Sequence, residues 1–133
     1  MEIRGIRGAI TVESNTREEI LTATQELLVA ILENNPSLKV EDLASGFFTC
    51  TQDLTAVYPA RAARDMGWLD LPMLCAQEMN VEGSISKCIR VLLHWNTSIS
   101  LEKIQHVYLR DAIRLRPDWA NKNKKNGVLG GDL

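Results

Sequence analysis

The chain lacks the spacings on which most site chemistry depends. Its three cysteines, Cys50, Cys75 and Cys88, form no CxxC pair, and none stands at a metal-ligand spacing from His94 or His106. Reduced thiols in a cytoplasmic protein are the simplest account. There is no serine–histidine–acid set, no phosphate loop and no internal repeat. No run reaches the roughly 18 apolar residues of a membrane span. Glu2 and Arg4 interrupt the start and no apolar h-region follows, so no secretory leader is expected. A basic surplus is missing too. The formal net charge of −2 argues against a nucleic acid recognised through its phosphates, yet leaves room for a local basic pocket holding a small anion.

What is present suits one globular domain. The 133 residues are 45% hydrophobic and 24% charged, enough to bury a sizeable core. Residues 1–117 read as that domain, and 118–133 as a polar, Gly-rich, flexible tail. Ile3, Ile10 and Val12 mark a first strand, where Gly5 and Gly8 flank Arg7 and let a backbone or a ligand come close. Thr16 and Glu19 form a capping box before a long helix whose stripe is Ile20, Thr24, Leu27, Leu28 and Ile31. Asn34, Asn35 and Pro36 end it. A turn and a short helical piece follow, then a strand at 46–51. Pro59 and Gly67 bracket a short helix. Strands are expected before Glu78, over 87–95 and over 104–109, with a helical turn at 110–115. The order β, long α, β, short α, β, β, β predicts an α+β domain with a mixed five-stranded sheet. One long helix cannot cover both faces, so the other face or the edges should meet another subunit.

The stretch from Leu71 to Arg90 carries the chemistry. Glu78 closes one strand, and Arg90 lies inside the nearly continuous apolar run that follows Lys87. Charges in such sequence are rarely buried unless paired or used. A structural Glu78–Arg90 ion pair is one account. Arg7, and Arg61 with Arg64 on one helical face, are each accounted for as solvated surface when taken alone. His106 receives no role. Taken together, Arg7, Arg61, Arg64, Arg90, Tyr108, Glu78 and Cys75 make a set rich in arginine and poor in nucleophiles. Such a set suits a dianionic substrate whose reaction redistributes charge without proton transfer. The guanidinium fork binds carboxylates bidentately and stays charged.

The chain resembles the monofunctional chorismate mutases of the AroH class. The matching stretches are IRGIRGAITVE at 3–13, DLTAVYPARAAR at 53–64, CAQEMNVEG at 75–83, KCIRVLLHWNT at 87–97 and HVYLRDAIRLRPD at 106–118. The resemblance implies a ferredoxin-like topology assembled as a homotrimeric pseudo-α/β-barrel, with active sites between subunits. It implies conversion of chorismate to prephenate in phenylalanine and tyrosine biosynthesis, with no cofactor, metal, nucleic acid or membrane involved. Carried over by position, Arg7 and Tyr108 bind carboxylate and Arg90 donates to the ether oxygen. Glu78 and Cys75 bind the substrate hydroxyl. Tyr58 stands where the family has a ring-contacting phenylalanine. Arg61 (often lysine) and Arg64 are cleft cations, and Leu115 and Arg116 belong to the segment that closes over the site. Leu74 replaces a family threonine and removes any side-chain hydrogen bond there, and the chain beyond Asp118 is longer than the family's and unlike it. Two other readings stand beside the mutase. One is a non-catalytic trimeric module that binds a small carboxylate and regulates a partner. The other is a lyase that releases pyruvate from a related substrate. The joint presence of Arg90 and Glu78 favours the mutase, since a pure binder has no use for a cation at a breaking bond.

Overall fold

The computed structural model describes residues 2–120. Strand β1 (Glu2–Thr11) leads into helix α1 (Arg17–Asn34). Thr16 caps the helix, its hydroxyl accepting from the Glu19 amide at 3.2 Å. The Thr16 amide goes to the Ser14 carbonyl at 3.0 Å, so that donor is met by backbone. The buried stripe is the expected one with Ala23 added. Asn35 ends α1 and ties it to the far end of the chain. Its amide donates to the carbonyls of Ile31 and Gln105, and its carbonyl accepts from the Gln105 amide.

A 3-10 turn at Val40–Asp42 precedes β2 (Leu43–Cys50), which starts earlier than expected and is bulged between Leu43 and Ser45. Helix α2 (Ala60–Asp65) follows Pro59 and stops before Gly67, whose φ of 94° is glycine territory. Then come β3 (Met73–Gln77), β4 (Cys88–Thr97) and β5 (Val107–Leu109). A 3-10 segment Arg110–Leu115 and one helical turn, α3 (Pro117–Ala120), end the described chain. Most of the expected tail lies outside the described residues.

The mixed sheet has the order β3-β2-β4-β1-β5. The run β2-β4-β1-β5 keeps the ferredoxin-like order, and β3 adds a parallel edge beside β2. β4 is antiparallel to both β1 and β2, and β5 is parallel to β1. β5 is shorter than the strand expected at 104–109, for a local reason. Asn35 takes the Gln105 backbone groups, and the Arg7 amide donates to His106 Nδ1 at 3.0 Å instead of to a strand carbonyl. The ladder therefore begins only at Val107.

The alternation of the strands sorts side chains onto two faces. Ile6, Ile10, Phe48, Ile89, Val91, Leu93 and Trp95 meet α1 and form the main core. Gly8 lets α1 approach closely: a Cβ there would stand 3.0 Å from Ile31 Cδ1 and 3.2 Å from the Val107 carbonyl. Among the described residues, no helix covers most of the opposite face. Leu74, Phe47 and Leu92 lie side by side across β3, β2 and β4, with exposures of 65%, 39% and 37%, and Ile3 on the same face is 62% exposed. The segment 110–115 covers only one end of it. There Ala9, Cys88, Tyr108, Ala112 and Leu115 form a second, smaller core.

Candidate active site

The register places one row of residues across the open face: Ala76, Thr49, Arg90, Ala9 and Tyr108 are successive neighbours. Glu78 follows β3 by one residue, and its amide donates to the Cys50 carbonyl at 2.8 Å, which continues the ladder. Its carboxylate thereby reaches the row. Thr49 Oγ1 donates to Glu78 Oε2 at 2.7 Å. Arg90 Nε lies 3.4 Å from the same oxygen, with both charged side chains largely buried. The contact is an ion pair in which Arg90 Nε makes no hydrogen bond. Arg90 Nε and Tyr108 Oη are the buried side-chain polar atoms with no hydrogen-bond partner among the described residues. An unmet buried donor costs about 1–3 kcal/mol, so two orphans on one face call for an explanation beyond packing.

The neighbourhood is strongly cationic. Burial pushes the Tyr108 phenol up, while Arg7, Arg116 and Arg90 pull it down, so three guanidinium groups bear on one hydroxyl. Arg116 pairs with Asp118 through two hydrogen bonds, of 3.1 and 2.9 Å. The pair raises the Arg116 value and lowers that of Asp118. Trp119, which sequence reasoning missed, binds this corner together. Its ring stacks on His106 at 4.1 Å and lies 3.5 Å under the Arg116 guanidinium, with Arg7 5.7 Å away. His106 thus does have a role, holding the Arg7 amide and the Trp119 ring. The one available signal was a tryptophan beside Arg116-Pro117 in a segment otherwise without apolar pattern.

The expected site residues fall into two groups. Arg7, Glu78, Arg90, Tyr108, Leu115 and Arg116 gather at the end of the sheet capped by 110–115. Glu78, Arg90 and Leu115 line a cavity of about 360 Å³ there, with Arg114 on its wall. Tyr58, Arg61, Arg64, Leu74 and Cys75 line another cavity, of about 550 Å³, at the outer edge of β3. Tyr58 is 75% exposed, and Arg61 is bonded to Asp65 at 3.0 Å. The Cys75 thiol packs toward the main core, away from Glu78. Burial raises the thiol values of all three cysteines, Cys50 to about 12 and Cys88 to about 11. None is therefore a ready thiolate at neutral pH. Among the described residues no three His, Cys, Asp or Glu side chains gather in a metal-binding group, and no helix is long and apolar enough to cross a membrane.

Fold and site together define a class: an α+β domain whose mixed sheet presents a buried arginine–carboxylate pair, surrounded by further arginines, on a largely uncovered face. Comparison with known proteins narrows it. The sequence model of the family described as Chorismate mutase type I matches residues 3–119. Chorismate mutase AroH of Thermus thermophilus is 53% identical over 116 residues, covering 87% of this chain and 95% of the relative. Chorismate mutase AroH of Bacillus subtilis (strain 168) is 49% identical over 119 residues, covering 89% and 93%. The structure of a chorismate mutase from Clostridium thermocellum superposes with a TM-score of 0.79 at 48% identity, covering 82% of this chain and 96% of that one. The chain belongs to the AroH-class, type I chorismate mutases.

Proposed function

We infer that this chain is the isomerase that converts chorismate to prephenate in aromatic amino-acid biosynthesis. The observation that carries the reading is the Arg90–Glu78 pair, with Arg90 Nε buried and without a hydrogen-bond acceptor among the described residues. The reaction is a [3,3] rearrangement: the ether C–O bond breaks, a C–C bond forms, and no atom or electron is gained or lost. No side chain need act as nucleophile or base. The C–O bond breaks ahead of C–C formation, so negative charge grows on the ether oxygen. A cation fixed there binds the transition state better than the ground state. Arg90 is that cation. Glu78 stays paired with the guanidinium at 3.4 Å and accepts from the substrate hydroxyl, while the Cys75 thiol, turned toward the core, takes no part in that contact. Arg7 and Tyr108 bind carboxylate, and so select the compact, reactive conformer, and Arg116 belongs to the segment that closes over the site.

The protein works as a cytoplasmic homotrimer with its sites between subunits. Two observations support this. Tyr58, Arg61, Arg64, Leu74 and Cys75 line a cavity apart from that of Glu78 and Arg90, which suits a site completed by a second copy. The row Leu74–Phe47–Leu92 leaves an apolar sheet face bare in the single chain. In this arrangement Tyr58 packs on the substrate ring, Arg61 and Arg64 are cleft cations, and Leu115 closes the site from above. The test follows chorismate loss with prephenate and pyruvate measured separately. Prephenate matching the chorismate consumed is the expected result. Pyruvate release would indicate a lyase, and binding without turnover a regulatory module.

A further inference from the structure

Thr49 is a β-branched residue on a central strand, which by itself needs no explanation beyond strand propensity. Its surroundings give it more to do. It lies directly opposite Arg90 in the β2–β4 register, on the open face. Its hydroxyl is 2.7 Å from Glu78 Oε2, the same oxygen that Arg90 Nε approaches only to 3.4 Å. The Glu78 backbone is fixed by its bond to Cys50, so the direction of the carboxylate is set by what grips its oxygens. A carboxylate and a guanidinium left to themselves close into a short, two-bonded fork. Here they do not, and Arg90 Nε makes no hydrogen bond among the described residues.

We propose that Thr49 is a positioning residue that holds the Glu78 carboxylate off Arg90, keeping the guanidinium N–H free for the substrate oxygen. This rests on the reading of Arg90 and Glu78 as the reacting pair. A closed fork would spend the Arg90 donors on Glu78 and turn the guanidinium from the ether oxygen. The hydroxyl of Thr49 opposes that by tethering Oε2 in a fixed direction, and leaves Oε1 for the substrate hydroxyl.

The test compares Thr49→Val, which keeps the shape, with Thr49→Ala and Thr49→Ser. Removing the hydroxyl lets Glu78 close on Arg90. Both Val and Ala variants should then lose kcat by at least about fivefold, the rate equivalent of one hydrogen bond. Their KM should stay within about twofold of the wild type, since the carboxylate-binding arginines are untouched. Thr49→Ser should keep at least half of the wild-type kcat. In the Val variant the closed pair is a stronger contact than the one it replaces, so Tm should hold or rise. A merely structural threonine would show the opposite split, with Tm falling and kcat of the folded enzyme unchanged. Val and Ala variants with near-normal kcat, or a Ser variant as slow as Val, would overturn the proposal. Prephenate formation by the wild type is the control that separates the two readings. If it is absent, the functional assignment falls; if it is present and the variants match it, only the role of Thr49 falls.

Discussion

A guanidinium that is buried, charged and short of a hydrogen-bond acceptor is costly unless something completes it. Arg90 is in that state, and the sharpest single change is Arg90→Lys. Lysine keeps the charge but loses the planar fork and its reach. A residue that only balanced Glu78 would tolerate the exchange with a modest loss of stability. A donor aimed at a developing oxyanion would not, because removing one preorganised donor typically costs about 10²–10³ in rate. The expected outcome is a folded Arg90→Lys protein that still binds a prephenate-like dianion and has lost at least about two orders of magnitude in turnover. Near-normal turnover in the folded variant would refute the role. Cysteine supplies a second prediction. Cys50 and Cys88 are raised by burial from 9.0 to about 12 and about 11. A group whose folded value is raised stabilises fully below its unfolded value, and that contribution is lost as pH climbs toward the folded one. The melting temperature should therefore be insensitive to these thiols up to about pH 8.5 and decline above pH 9, a trend that Cys50→Ala should flatten. Arg90 and Glu78 were legible in the sequence because charge in an apolar run stands out. Thr49 and His106 were not, because threonine in a strand and a lone histidine both pass for ordinary packing until their partners are seen.

At the scale of elements, Gly8 is the tightest joint. It lies where β1 meets α1 on one side and β5 on another, and the Val107 carbonyl in contact is backbone that cannot rotate away. Gly8→Ala should cost about 1–3 kcal/mol, the usual range for overpacking, read as several degrees of Tm. Because Gly8 adjoins Arg7 and Val107 adjoins Tyr108, kcat/KM should fall with it. Gly5→Ala, whose added carbon would meet only Leu92 Cδ1 at 3.5 Å, is the matched control and should be near neutral. An equal response at both positions would rule out this account. The two glycines look alike in sequence, and close approach was expected for both; only the pairing of β5 and the seat of α1 single out Gly8. Helix α1 was readable because its cap and stripe are local. The extent of β5 was not, because it depends on Asn35, some 70 positions away, taking the Gln105 backbone groups.

For the whole molecule, the bare face predicts assembly. Leu74, Phe47 and Leu92 form a continuous apolar row on neighbouring strands, the kind of exposed patch that monomers avoid. Sedimentation of the wild type should give a trimer. Phe47→Glu places a charge at the centre of the row and should yield monomers that have lost most turnover, as the proposed sharing of each site between two copies requires. The folded state of that monomer is checked by far-UV circular dichroism. A fully active wild-type monomer would defeat both the trimer and the shared site.

The position of β1 in the sheet has a consequence for how the protein comes into being. The first strand made is held between β4 and β5, its partners at residues 88–97 and 107–109. At about 5–20 residues per second of synthesis, β1 waits roughly 4–15 s before any of β4 exists. Until then α1 and α2 can form from local contacts and β2 can pair with β3, but the apolar β1 has nothing to pair with. Such long-range pairing folds slowly and exposes unpaired strand edges meanwhile. Nascent chains halted before residue 88 should therefore be captured by chaperones and cut readily by protease, and chains released past residue 109 should resist both.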